Sequence, residues 1–206
     1  MTTTITFDIH TATAIITPLG AEHIDQAEGL EFARHAPKLD RTYKGIDMYN
    51  ADELMTHCCG SEAAGASPFA FILNVDGEDR IYVNTVFFSM TEDMQNAFLA
   101  HEYGHILNGH GNIFADVESL IALRPDLANN EKLLTGNYTV VFHEAELQAD
   151  MEAVKEGYGE ALLSYLELCS QAIRAAYEAG ADDLKDSVWH MEDRVAHLKE
   201  ALCDVA

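Results

Sequence analysis

The chain has 206 residues, enough for one domain with a sizeable core, and 48% of them are hydrophobic, which excludes a disordered segment. Its 35 acidic and 12 basic residues leave a formal net charge of −23, spread along the chain. That field repels nucleic-acid phosphates and anionic membrane surfaces, so neither is an expected partner.

No run approaches the roughly 18 apolar residues of a membrane span. The N-terminus, Met1-Thr2-Thr3-Thr4-Ile5-Thr6-Phe7-Asp8, has no basic region followed by an apolar run, so no signal peptide is expected. Cys58, Cys59, Cys169 and Cys203 form no regular framework, and reduced thiols in a cytoplasmic protein are the expectation.

Taken in order, residues 4–10 alternate apolar and polar, with Ile5, Phe7 and Ile9 on one side, which predicts a half-buried strand pairing with Ala12 to Thr17. Pro18 and Gly20 are expected to end that hairpin. A weak helical pattern over 21–36 stops at Pro37. Residues 38–50 read as a loop, Asn50-x-x-Glu53 as a capping box for a short helix through about Cys58, and Gly60 to Pro68 as a second loop. Two β-rich runs, 69–75 and 80–86, flank Asp76-Gly77 and predict a hairpin. Ser89 or Thr91 caps the helix that follows, Glu92 and Asp93 suit its positive end, and Asn108-Gly109 stops it.

Ile113 to Leu123 is amphipathic, and Tyr138 to Phe142 is either a short strand or the lead-in to a helix. From Glu144 onward the pattern is helical. Leu162, Tyr165, Leu166, Cys169, Ala172, Ile173 and Ala176 form one apolar stripe that Gly180 ends. Asp182 or Asp183 caps a last helix in which Leu184, Val188, Met191, Val195, Leu198 and Leu202 step by fours and threes. Such spacing suits a helical hairpin packed on its own domain; a dimer contact through the last helix is the alternative.

The chemistry is concentrated in two segments. His101-Glu102-Tyr103-Gly104-His105 lies in the capped helix. Histidines four apart project from one helical face, so two imidazoles can hold one Zn²⁺, and Glu102 stands close enough to take a proton from water. A catalytic zinc needs a third protein ligand and an open position. The segment His143 to Ala153 offers Glu146 and Asp150, again four apart. One can ligate, and the other can accept the N–H of a ligating histidine and so fix its tautomer. Glu144 faces another side and is held in reserve.

These two segments together resemble the gluzincin pattern, His-Glu-x-x-His followed by Glu-x-x-x-Asp. Ala149-Asp150 and Ala153 are similar to the HtpX and CAAX-processing peptidases, and a hairpin directly before the metal helix is similar to the ImmA/IrrE-like peptidases. The resemblance covers about 25 residues and implies a zinc metallopeptidase with His101, His105 and Glu146 as ligands, Glu102 as general base, and Asp150 supporting a ligand. It carries neither the transmembrane helices of the membrane members nor a recognisable DNA-binding region. The partner it implies is a protein or peptide substrate, bound as an added strand beside residues 80–86. His110, Tyr138, His143 and Tyr158 are the candidates for stabilising the oxyanion.

Two other readings stay open. Cys59-Gly60-Ser61 ahead of His-Glu-x-x-His resembles peptide deformylases, which would make Cys59 the third ligand, although the Gly-rich segment of that family is missing here. A metal-binding interaction protein derived from a peptidase would have no need of Glu102. The sequence therefore predicts an α+β, zincin-like domain over residues 1–160. In it a small antiparallel or mixed sheet packs on the metal helix, and a hairpin over 161–206 packs on the same domain.

Overall fold

Short turns with both central residues at positive φ close the two hairpins of the larger sheet. In the computed structural model, which describes residues 2–8, 13–19, 26–53, 70–110 and 139–205, the N-terminal alternation forms strands β1 (Thr2–Asp8) and β2 (Thr13–Leu19). They pair antiparallel with Ile5 opposite Ile16 and Phe7 opposite Ala14. Pro18 lies inside β2, opposite Thr3, which an edge strand tolerates. Helix α1 (Gln26–His35) follows and ends before Pro37.

Residues 38–50, expected to be a loop, are instead strands β3 (Lys38–Tyr43) and β4 (Ile46–Asn50). Lys44 and Gly45 join them at φ 52° and 86°, the geometry of a tight hairpin turn. A lysine in place of the usual Asn or Asp hides that turn, and an irregular register between Lys38 and Thr42 blurs the alternation. The second hairpin is as predicted: β5 (Ala70–Val75) and β6 (Glu78–Val83) flank Asp76 and Gly77 at φ 55° and 89°.

The sheet order is β3-β4-β6-β5, with β4 and β6 parallel and the other pairs antiparallel. This corrects the expected docking edge. Residues 81–83 pair on both sides, with β4 and with β5, so the edges of this sheet are β3 and β5. The error follows from reading β4 as loop, because β4 occupies the flank of β6 that looked free.

Each face of the sheet packs on a helix. Ala33 of α1 covers Val75 and Tyr82, whose hydroxyl donates to the Ala33 carbonyl at 2.9 Å. On the other face Met48, Ile72, Ile81 and Val83 meet Phe98 and Leu99 of α2 (Glu92–Leu107). Buried aliphatic side chains of this kind contribute roughly 1.5–3 kcal/mol each. Thr91 caps α2 by accepting from the Met94 amide, and Gly109 at φ 70° ends it behind Asn108.

Helices α3 (Thr139–Lys155), α4 (Gly159–Glu178) and α5 (Lys185–Val205) complete the described chain. Residues 139–142 thus belong to a helix rather than a strand, and Tyr138 lies outside the described residues. Ala97 and Ala100 of α2, Ala153 and Val154 of α3, Leu162 and Leu166 of α4 and Leu198 of α5 share one core. The α5 stripe faces α4, with Ile173 and Ala176 against Leu184 and Val188. The expected hairpin is therefore formed, and the class is α+β. Among the described residues no helix is long and apolar enough to cross a membrane. The expected helix through Cys58 is described only at its start, where Asp52 and Glu53 are helical and the Asp52 amide donates to Asn50 Oδ1; its remainder, the loop from Gly60 to Pro68 and the stretch Ile113–Leu123 lie outside the described residues.

Candidate metal centre

Helices α2 and α3 approach closely where Gly104 meets Ala149. A Cβ on Gly104 would stand 2.8 Å from Ala149 Cα and 2.9 Å from its carbonyl oxygen. This contact brings the two predicted motifs face to face. His101 and His105 project from one side of α2, with their Nε2 atoms 3.2 Å apart. Glu146 of α3 meets them, with Oε2 3.5 Å from His101 Nε2 and Oε1 3.3 Å from His105 Nε2. The donor atoms of these three residues lie within 4.8 Å of one another.

Two imidazoles and a carboxylate are the donor set of a zinc site with an open position, so the residues fit that metal. Each of the two imidazoles is also backed from behind. His101 donates from Nδ1 to Asp150 Oδ1 at 2.8 Å, which leaves Nε2 for the metal. His105 Nδ1 lies 2.9 Å from His110 Nδ1, and His110 Nε2 lies 3.1 Å from Gln148 Oε1. The amide oxygen can only accept, so His110 donates to Gln148 and receives the proton of His105. Burial and the neighbouring His105 lower the His110 pKa to about 4, which keeps it a neutral acceptor.

Asp150 is fully buried, and its countercharge comes from the C-terminal helix. Arg194 donates from Nε to Oδ2 at 2.8 Å and from Nη2 to Oδ1 at 2.7 Å. Its Nη1 is 2.7 Å from Glu146 Oε2, so one guanidinium joins both carboxylates of α3. Burial raises the pKa values of Asp150 and Glu146, but Arg194 and the histidines outweigh it. Both carboxylates are held below their ordinary range, Glu146 well below. Burial likewise lowers His101, yet its bonds to Asp150 and Glu146 prevail and carry it up to about 10 in the metal-free protein. Glu102 is buried beside the ligands, and burial pushes its pKa up.

All five site residues named from sequence thus come together: His101, Glu102, His105, Glu146 and Asp150. Arg194 was missed. It is three residues after Met191 and four before Leu198, on the face of the apolar stripe, and a charge there requires a buried partner. Of the oxyanion candidates, His110 is committed behind His105. His143 is engaged at both nitrogens, by His190 Nδ1 and by Asp193 Oδ2, each at 2.7 Å. Tyr158 precedes α4 and does not line the cleft at the ligands, and Tyr138 lies outside the described residues, as does Cys59.

A cleft of about 310 Å³ opens on the ligands, bordered by the edge strand at Ala70, Phe71 and Ile72. Comparison with family models, with curated proteins and with solved structures yields no match.

Proposed function

We propose that this chain is a zinc-dependent metallopeptidase of the gluzincin type. The observation that carries the reading is the convergence of His101, His105 and Glu146 in an open cleft, with the buried Glu102 beside them. His101, His105 and Glu146 would hold the metal. Bound there, Zn²⁺ supplies Lewis acidity that activates water and polarises a carbonyl.

The remaining work falls to the chain. Glu102 receives a proton at its carboxylate and hands it to the departing amine, a task that its burial and raised pKa suit. Asp150, clamped by Arg194, fixes His101, and His110, clamped by Gln148, fixes His105. Among the described residues β5 has no neighbour on its outer side, so its backbone can align an extended peptide as an added strand. Cys169 and Cys203 carry free thiols, which fits a reducing, cytoplasmic setting.

The test is to purify the protein without chelators, measure bound zinc, and compare wild type with Glu102→Gln on a denatured protein and a broad peptide library. Cleavage by wild type alone, with equal zinc in both, is the expected result. Equal zinc with no cleavage by either protein overturns the peptidase reading, and a protein without zinc overturns the metal site.

A further inference from the structure

Helix α5 is fastened to α3 by two sets of polar side chains. One is Arg194, which reaches Glu146 and Asp150. The other lies nearer the start of α3, at His143, and the proposed chemistry makes no use of it. His143 is 4% exposed, and α5 engages both of its nitrogens. Nε2 lies 2.7 Å from Asp193 Oδ2, and Nδ1 lies 2.7 Å from His190 Nδ1. Trp189 packs its ring on His143, with centroids 4.5 Å apart, and helps to bury it.

Donor and acceptor chemistry fixes the protons of this chain. A carboxylate only accepts, so His143 donates from Nε2 to Asp193 and keeps Nδ1 as a bare acceptor. His190 therefore donates from Nδ1, and its own Nε2 is bare. Both rings are then neutral. One more proton, taken from solvent at His190 Nε2, makes a cation one helical turn from Arg194. A further proton on His143 Nδ1 sets two N–H donors head to head at 2.7 Å, with no acceptor between them. The contact thus holds α5 while its imidazoles are neutral and loosens as they charge.

We propose that His143, His190 and Asp193 form an acid-sensitive latch, which docks α5 at neutral pH and releases it in acid, drawing Arg194 and Met191 away from the candidate metal centre. The latch goes beyond the peptidase reading and does not depend on it. Burial, Arg194 of α5 and His143 of α3 lower the His190 pKa from 6.5 to about 4, against the pull of Glu146 and Asp150 of α3. From α4, Arg174 and Glu167 also reach α5, but they pair there with Glu192 and Lys199. A folded-state value below 6.5 means that docking is fully supported above 6.5 and loses that support as pH falls toward 4. Asp193 is 48% exposed, so the latch lies within reach of solvent protons.

The experiment follows hydrogen exchange of the full-length protein by mass spectrometry, corrected for intrinsic rates, from about pH 7.5 to about pH 4.5. Protection of residues 185–205 is expected to fall by about tenfold or more over that range, while the β5–β6 hairpin keeps its own. His190→Asn sets an amide nitrogen where Nδ1 stands, can turn its oxygen there instead, and does not titrate. In that variant protection of the same helix should change by less than about twofold. Nitrogen chemical shifts of the wild type need no substitution. They should show His143 as the Nε2–H tautomer and His190 as the Nδ1–H tautomer at neutral pH, with His190 titrating below 6.5. Protection of α5 that is flat with pH, a loss shared equally by the whole protein or by His190→Asn, or a His190 that titrates at or above 6.5 overturns the latch.

Discussion

Replacing Gly104 by alanine tests the helix contact on which the site depends. In an exposed helix this change is favourable by about 1 kcal/mol, because alanine loses less backbone entropy. Here the added methyl would lie 2.8 Å from Ala149 Cα, 2.9 Å from Ala149 O and 3.0 Å from Glu152 Cβ. Unstrained carbon contacts stand about 3.5–4.0 Å apart, so α2 and α3 must separate locally by roughly 1 Å. Two of the three obstructing atoms are backbone and cannot rotate away. Overpacking costs about 1–3 kcal/mol, and this site falls at the upper end, for a net loss of about 1–2 kcal/mol. The separation also draws Glu146, three residues before Ala149, away from His105, the neighbour of Gly104. Zinc affinity is therefore expected to fall about tenfold or more, as when a ligand loses its support. Urea denaturation of the metal-free protein gives the stability, and competition with a chromophoric chelator gives the affinity. A Gly104→Ala protein as stable as wild type, with unchanged zinc affinity, would refute the close approach of the two helices.

Three further outcomes follow from the site. Arg194→Met leaves Asp150 and Glu146 without their shared cation, and breaking a buried pair in this way should cost about 3–5 kcal/mol in chemical denaturation; a loss under 1 kcal/mol would show that the guanidinium does not clamp the carboxylates. His110→Phe removes the acceptor behind His105 and should weaken zinc binding about 10–100-fold with the helical circular dichroism retained. Metal-free His101, with a pKa of about 10, carries a proton on Nε2 at neutral pH that must leave when zinc binds. Zinc affinity should thus rise with pH by roughly tenfold per unit through neutrality, and calorimetry in buffers of different ionisation enthalpy should detect proton release. An affinity flat over that range contradicts the assignment. In the metal-free protein the raised His101 value stabilises the fold fully below its ordinary value of 6.5, and that contribution is lost as pH rises through about 10. The lowered Asp150 and Glu146 values act in the opposite sense, contributing above about pH 4 and fading as acid protonates the two groups.

What the sequence revealed and what it concealed divide along physical lines. The Asp76-Gly77 hairpin, the cap at Thr91 and the stop at Asn108-Gly109 depend on local chemistry, so short stretches announced them. The cluster of the candidate site was legible because helical spacing of four fixes a face for His101 and His105 and again for Glu146 and Asp150. Strands β3 and β4 were missed because Lys44-Gly45 makes the turn without a signature residue. That omission then misplaced the sheet edge, since the neighbour of β6 in parallel pairing comes from 33 residues earlier, at Met48 opposite Ile81. Arg194 was missed, and His110 was read as a candidate for stabilising the oxyanion. Their roles are set by groups 44 and 38 residues away, across helix packing that no local pattern encodes.

The reach of Arg194 to Asp150 also bears on biosynthesis. The candidate ligands of the site are all synthesised by residue 146, but the guanidinium that bridges Glu146 and Asp150 arrives with residue 194. A nascent chain halted before α5 holds two carboxylates without the guanidinium that bridges them and a cleft without its Met191 lining. On a ribosome, then, the candidate centre is assembled only when α5 emerges and docks, and translation itself sets the order in which its parts come together.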